Sequence, residues 1–505
     1  ATITLASCGS VQSITEKTVP TMETTVSMSQ KKGAIGEEQF NHWAHADLVA
    51  DTIPGMSLDK AYKFLEGKKG VTVIVGVIDS GIDIEHEDLK DVLWTNSNEI
   101  AGNGIDDDNN GYIDDVYGWN FLGNSKGENL NEANLEKTRI YRKLSSKYEK
   151  IDPETLSAEE RAEYKMYLEV KEDVDAELEM YASVMSQLDM LPMLIQQIPT
   201  MVAMQIGKTD YTKKDLEKWK PKDDQGIQLK RFAMAILNGE VTPEVIEEQK
   251  KQVAERVDYH LNVNYLDREL IGDNEDDFTD VKYGNPDVEG PDALHGTHVG
   301  GIIGAIRGNN KGGDGVAENV LLMSLRAVPN GDEFDKDIAL AVRYAVDNGA
   351  QVINMSFGKG YSPHQKEVYE AMAYADSMGV LMIHAAGNDA KDVDVEPNFP
   401  TPRYEFQGKP FTHLLTIGAS TRMEGEGRVA EFSNYGQETV DVFAPGLEIY
   451  NTVPQSAYMN LQGTSMAAPM VAGAAAMLKS YFPSLSMWEI KTILLQTSTR
   501  YNDNE

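Results

Sequence analysis

The stretch VTVIVGVIDSGID, beginning at Val71, constrains the fold more than any other part of the chain. It is an unbroken apolar run rich in β-branched residues, the pattern of a strand covered on both faces, as strands of a parallel sheet are. Such a strand delivers a polar residue at its carboxyl end, here Asp79, followed by Ser80 and Gly81. Similar segments recur at NVLLMSLRAV, AQVINMSFG, GVLMIHAAGN and LLTIGAS. Between them stand the helical patterns DKDIALAVRYAVDNG and HQKEVYEAMAYADSMG, each closing on a glycine suited to a C-cap. The alternation predicts an α/β fold with a mainly parallel central sheet and functional residues at the strand carboxyl ends.

Residues 130–272 break this rhythm. They are rich in Glu, Lys, Met and Leu, and Tyr164, Leu168, Leu178, Tyr181, Val184, Leu188 and Leu191 recur at helical spacing, predicting one apolar face. Ser157 to Glu160 have capping-box form, and Thr242 before Pro243 reads as an N-cap with proline at the first helical position. Pro192, Pro199 and Pro221 are expected to divide the rest into four or five helices. The insertion's one histidine, His260, offers no metal cluster. The chain therefore divides into a tether over 1–40, the first part of an α/β domain over 41–129, an all-helical insertion over 130–272, and the second part of the domain over 273–505.

A formal charge of −35 argues against a nucleic-acid or anionic-membrane partner, because phosphate-binding surfaces need clustered Lys and Arg. It suits an exported, calcium-binding protein and equally serves plain solubility. No stretch approaches the length of apolar chain that a membrane-spanning helix needs. The sole cysteine is Cys8, which excludes an intrachain disulfide. Residues 1 to 8, ATITLASC, look like the end of a signal-peptide hydrophobic region, and LASC resembles the bacterial lipobox, whose cysteine is lipidated. The Ser/Thr-rich run that follows reads as a flexible tether. These features predict a bacterial cell-envelope protein whose only membrane contact is a lipid anchor at Cys8.

PDALHGTHVGGIIGA sets His295 and His298 three residues apart at a predicted helix start. They could be two metal ligands, two structural histidines, or one base and a bystander. A metalloprotease helix spaces its histidines at i and i+4 with a glutamate after the first, and Gly296 and Thr297 do not fit that pattern.

Attack by a hydroxyl nucleophile needs a base to take its proton and an acid to orient that base. VIDSGID, HGTH and GTSMAAPMVAGAAAML supply Asp79, His295 and Ser465 in that order. Through these three signatures together the sequence resembles the subtilisin-like serine proteases, over roughly residues 41–125 and 273–500. The resemblance implies a three-layer subtilisin-like fold and an endopeptidase working on polypeptides through an acyl-enzyme on Ser465. His295 would be the general base and Asp79 its orienting partner, with no cofactor in the catalysis. His298 is then structural, one helical turn on and facing the packed sheet, while Gly296 leaves room for a substrate chain.

HAAGND places Asn388 at the end of an apolar strand, where the resemblance implies an oxyanion donor beside the Ser465 N–H. A turn asparagine is the plainer reading of the same residue. The resemblance also makes Ser356, Phe357 and Gly358 one wall of the primary specificity pocket and Ala385, Ala386 and Gly387 the other, with Phe357 lining or narrowing it for apolar side chains.

A second candidate site is GNGIDDDNNGYIDDVYGWNF. Asp106, Asp108, Asn110 and Asp114 fall at the first, third, fifth and ninth positions of an EF-hand-like loop, predicting a structural Ca2+. The twelfth position is Tyr117 instead of a bidentate glutamate, so an ion would need Asp115 or a more distant carboxylate. An acidic turn is the alternative, and GDNEDDFTD over 272–280 reads as loop.

Two other functions fit this chain. A macrocyclising transpeptidase would use the insertion to shield the acyl-enzyme from water. A peptide-binding scaffold without catalysis is disfavoured by the intact set of Asp79, His295, Ser465 and Asn388. The insertion is expected either to cap the active-site mouth or to lean outward and bind a partner.

Overall fold

The structure, a computed structural model, describes residues 35–423 and 425–501. Two helices precede the sheet, α1 (Glu37–Asn41) and α2 (Leu58–Leu65). Strands β1 (Val73–Asp79) and β2 (Gly118–Asn120) lead into the insertion, which contains α3 (Glu136–Tyr148), α4 (Ala158–Ile206), α5 (Lys213–Lys218), α6 (Asp224–Asn238) and α7 (Pro243–Glu255). The chain continues through α8 (Leu294–Gly304), β3 (Val320–Arg326), α9 (Asp335–Asp347), β4 (Val352–Met355), α10 (Gln365–Ser377), β5 (Leu381–Ala385), β6 (Leu414–Ser420) and β7 (Val442–Pro445). A hairpin of β8 (Ile449–Val453) and β9 (Ala457–Leu461) precedes α11 (Thr464–Tyr481) and α12 (Met487–Thr497).

β1 to β7 form one sheet in the order 2-3-1-4-5-6-7, every neighbouring pair parallel. β1 lies inside it, and its alternating residues serve two cores. Val73, Val75 and Val77 pack beneath α8 and α11, and Ile78 packs on the face covered by α9 and α10. This is the mainly parallel α/β sheet that the apolar runs predict, in the three-layer form that the resemblance implies. The five recognised runs are β1, β3, β4, β5 and β6. The edge strands β2 and β7 have three and four residues, too short to carry a pattern of their own. From β1 the chain goes to the edge strand β2, comes back to β3 beside β1 and then crosses to β4 on the other side, a topology that favours a crevice at the carboxyl end of β1, where Asp79 stands.

The insertion departs from the prolines' prediction. α4 is one helix of 49 residues that runs through Pro192 and Pro199. An interior proline costs a hydrogen bond and crowds the preceding turn. Both rings lie on the exposed side, where water can serve the carbonyls they leave free. Pro221 does separate helices, α5 from α6. The packed face of α4 begins with Tyr167, Val170 and Val174, whereas Leu168 is 45% exposed. Contact with Ile140, Leu144 and Tyr148 of α3 sets that register. The far half of α4 packs Ile198 and Val202 on Leu216, Leu229 and Ala233, a core without any residue of the sheet domain. The capping box at Ser157 and Glu160 and the Thr242 cap both form.

The root of the insertion is fixed by buried charge. Arg139 of α3 donates to Glu136 at 2.6 Å and to the carbonyls of Asp332 and Glu333 at 3.0 Å. Lys359 reaches Glu136 at 2.7 Å and Asp335 at 2.8 Å. The 272–280 segment, expected to be a plain loop, supplies Asp273 to Arg268 and Lys336, and Asp276 to Lys143 and His364. Both ends of the insertion meet at the carboxyl edge of the sheet, where Asn120 and Asn285 exchange backbone hydrogen bonds of 3.0 and 3.1 Å. No helix among the described residues is long and apolar enough to cross a membrane. Cys8 and residues 1–34 of the expected tether lie outside the described residues, whereas residues 37–40, assigned to the tether on composition, open the helix α1.

Candidate active site

Asp79, 1% exposed, accepts from the Ser80 N–H at 2.8 Å and lies 2.6 Å from Nδ1 of His295 through the same Oδ1. An ionised carboxylate only accepts, so Nδ1 carries the proton and Nε2 is left as the basic nitrogen. The approach is close because residue 296 is glycine: a Cβ there would run into the Gly81 carbonyl. The glycine thus serves the packing of α8 on β1, where the sequence suggested room for a substrate. Burial opposes protonation of His295, but the charge of Asp79 and its hydrogen bond outweigh it, and the pKa is raised.

His298 is fully buried, and its Nε2–H donates to the Ile449 carbonyl at 3.0 Å and the Met459 carbonyl at 3.3 Å. It therefore anchors the β8–β9 hairpin instead of facing the main sheet. Burial pushes its pKa down to about 4, so the ring is neutral. The two histidines address different partners, and no shared ion explains the pair.

α11 starts at Thr464 after Gly463, whose φ of 149° is open to glycine alone. Ser465 stands in the first turn, where unpaired N–H groups and the helix dipole create positive potential. Its hydroxyl donates to the Ser356 carbonyl at 3.2 Å. Asn388 Oδ1 accepts from the Thr464 N–H at 2.8 Å and from its hydroxyl at 3.0 Å. That turns the Asn388 amide nitrogen toward Gly463, where a Cβ would lie 3.4 Å from Nδ2 and 3.6 Å from the Ser465 nitrogen. The Asn388 side chain and the Ser465 nitrogen therefore both lie beside Gly463 at the helix start. Thr464 was not singled out in the sequence. It is fully buried and also accepts from the Gly387 N–H at 3.0 Å, coupling the Asn388 loop to α11.

Ser356 to Gly358 continue β4 and Ala385 to Gly387 end β5, which are neighbours in the sheet. Phe357 is 8% exposed and belongs to the core under α9 and α10, so its ring backs this wall instead of standing open in a cleft. Between the walls lies Asn398, which the sequence reading did not flag. Its amide donates to the Ala385 carbonyl at 3.4 Å and occupies the space that a side chain on residue 358 would need. The backbone pairing of Lys359 with Phe399 brings it there, a long-range register that local patterns do not encode.

In the acidic loop, Asp106 and Asp108 converge with Glu99, one carboxylate oxygen of each lying within 4.8 Å of the others. Asn110 sits beside them, its amide donating to Asp108 at 3.3 Å and Asp115 at 3.0 Å. Asp114 turns away and accepts from the Asn103 and Gly104 N–H groups. Asp115 is buried against Tyr344 and Asn96, and burial raises its pKa to about 6. Glu99, seven positions ahead of the motif, is thus the further carboxylate that lies nearest this pair, and it also accepts from the Asp107, Asp108 and Asp114 N–H groups.

A family model described as the subtilase family matches residues 70–505. A thermophilic serine proteinase of Bacillus sp. (strain AK1) is 38% identical over 205 residues, 40% of this chain and 46% of that protein. Subtilisin DY of Bacillus licheniformis is 31% identical over 249 residues, 49% of this chain and 84% of that protein. A cold adapted subtilisin-like serine proteinase of known structure is 29% identical, covering 44% of this chain and 73% of that one, at a TM-score of 0.36. The chain spans about half the length of the first of these relatives.

Proposed function

This chain belongs to the subtilase family, and we propose that it is a serine endopeptidase in which Ser465, His295 and Asp79 act as nucleophile, base and orienting acid. His295 Nε2 takes the Ser465 proton as Oγ attacks a peptide carbonyl, then returns it to the leaving amine. The Asn388 amide and the Ser465 N–H hold the oxyanion of each tetrahedral intermediate. Water then releases the acyl group. The observation that carries this reading is the 2.6 Å contact of Asp79 with His295, side chains 216 residues apart in sequence that meet at the mouth of the crevice. A fluorophosphonate probe tests it, with mass mapping of the adduct. Label on Ser465 that disappears in Ser465→Ala is expected, and label elsewhere would overturn the assignment.

The substrates are polypeptides lying along the walls at Ser356–Gly358 and Ala385–Gly387. A structural Ca2+ bound by Asp106, Asp108 and Glu99, with Asn110 beside them, would hold the loop after β1. Lipidation of Cys8 would tether the enzyme to a bacterial envelope membrane, and Cys8→Ser should then release it into the soluble fraction.

The insertion restricts access to this site. Support comes from a cavity of about 410 Å³ that α3 and α4 share with the loop Gly360–Gln365, just beyond the Ser356–Gly358 wall. Replacing residues 158–255 with a Gly/Ser linker keeps the buried pairs of Arg139, Arg268 and Lys359. Faster cleavage of a large protein with short peptides unaffected is expected. Unchanged rates on both would leave the insertion as an outward domain for a partner.

A further inference from the structure

We propose that His42, His45 and Asp59 form a binding site for a divalent transition metal, with Zn2+ the best fit, on the face where the N-terminal segment meets α2. The three side chains each offer one ligand atom, all within 4.8 Å of one another. His42 ends α1, and His45 follows three residues later on a single tight turn, which stacks the rings edge to face at 4.6 Å. Asp59 enters from the first turn of α2, its Oδ2 2.8 Å from Nε2 of His42. Two imidazoles and one carboxylate, open to solvent on the His42 and Asp59 side, make a three-ligand set that water completes to four.

A hydrogen-bonded His42–Asp59 pair would account for two of these residues but not for the third. His45 is 5% exposed, and its buried Nδ1 has no hydrogen-bond partner. A neutral buried imidazole normally places its polar nitrogens on an acceptor, a donor or a metal. Asp59 is also held from behind as a ligating carboxylate is. Arg307 lies 3.8 Å from Oδ1, the oxygen turned away from His42, and stacks on the Tyr62 ring at 4.1 Å. Asp314, also 3.8 Å from Arg307, offsets that guanidinium's charge. Second contacts of this kind fix ligand orientation.

Tetrahedral ligands at zinc distances stand about 3.4 Å apart, so closing the set asks His45 to approach by no more than roughly 1 to 1.5 Å. The metal would join residues on either side of the turn that carries Trp43. Trp43 is buried and donates to the Glu448 carbonyl at 3.1 Å, so the clamp would secure the N-terminal segment to the sheet domain.

The test is calorimetric titration of the full chain with Zn2+ in excess Ca2+, which occupies oxygen-donor sites, repeated with Co2+ to read coordination from its visible d–d bands. One Zn2+ per chain, four-coordinate Co2+ bands and a melting temperature that rises with Zn2+ are expected. Asp59→Asn and His42→Gln alter exposed side chains and should fold normally. Each should weaken Zn2+ by more than about tenfold and abolish the thermal response. Absence of stoichiometric binding in the unaltered protein, or binding that survives both substitutions, overturns the proposal.

Discussion

The hydroxyl of Ser356 donates to the carbonyl of Ser465 at 2.9 Å, and the hydroxyl of Ser465 donates back to the carbonyl of Ser356 at 3.2 Å. The Ser465 carbonyl is available because residue 469, its helical partner, is a proline without an N–H. The exchange ties the start of α11 to the wall leaving β4. Ser356→Ala should cost about 1 to 2 kcal/mol in urea unfolding, the usual loss for a buried hydrogen bond, and should lower kcat because the Ser465 turn is less firmly held. Ser465→Ala should abolish hydrolysis with an unchanged circular dichroism spectrum. Retained activity in Ser465→Ala would remove the nucleophile assignment.

Asn388→Leu should lower kcat by about 10² to 10³, the loss known for removing such a donor in a subtilisin, with KM little changed. A hydrogen bond from the Asn388 amide to an oxyanion would strengthen only as the negative charge forms, and so would act on the transition state. A change confined to KM would make Asn388 a substrate-binding residue. Thr464→Val should reproduce part of the kcat loss, since its hydroxyl orients the amide.

With His295 as the proposed base, its raised pKa should set the acid side of the pH profile. The base must be neutral to accept the Ser465 proton, so kcat/KM should fall at a pH above the ordinary histidine value of about 6.5. Asp79→Asn removes the two largest influences that raise the pKa and leaves burial, which lowers it, opposed only by the smaller pull of the Asp292 charge. The acid limb should therefore move to lower pH while the plateau collapses. A limb that stays in place would mean that another group controls it.

Glu333 predicts a pH effect on stability. Burial, opposed by Lys359, raises its pKa to about 8, and its Oε1 has no partner. Between the unfolded value near 4.5 and this folded value, the native state holds a proton that the unfolded chain has released. Stability should therefore fall as pH rises from about 5 to 8, by up to a few kcal/mol. Glu333→Gln, neutral throughout, should flatten that slope in urea titrations. An equally steep slope in the variant would assign it elsewhere.

Calcium should raise the melting temperature, because an ion bound only by the native state stabilises it by mass action. Asp108→Ala and Glu99→Gln should each blunt that response, whereas Asp114→Ala should not, given its turn-capping role. A response lost with Asp114 but kept without Glu99 would restore the linear motif.

What could be read from the sequence follows the range of the interactions. β1, β3, β4, β5 and β6 are covered on both faces and announce themselves by composition. Asp79, His295, Ser465 and Asn388 sit in distinctive local segments, and the structure brings Asp79 to His295 and Asn388 to the start of α11 as those segments suggest. Thr464 and Asn398 were missed because each acts through partners fixed by tertiary register, whereas Glu99 lies in the same loop but ahead of the twelve positions that the linear motif spans. The prolines of α4 misled for a different reason, since a penalty borne on a solvated helix face is too small to end a long helix.

The separation of 216 positions between Asp79 and His295 also governs the order in which a new chain can assemble. β1 is made early, yet its neighbour β3 arrives roughly 250 residues later, on the order of tens of seconds at ordinary rates of translation. The helices between them make largely local contacts and can form during that interval. A ribosome that has finished the insertion therefore carries a folded helical unit beside an apolar strand still waiting for both partners. The proposed nucleophile Ser465 is made later still, in the first turn of α11. Until both neighbours arrive, the uncovered edges of β1 are the part of the nascent chain most open to aggregation.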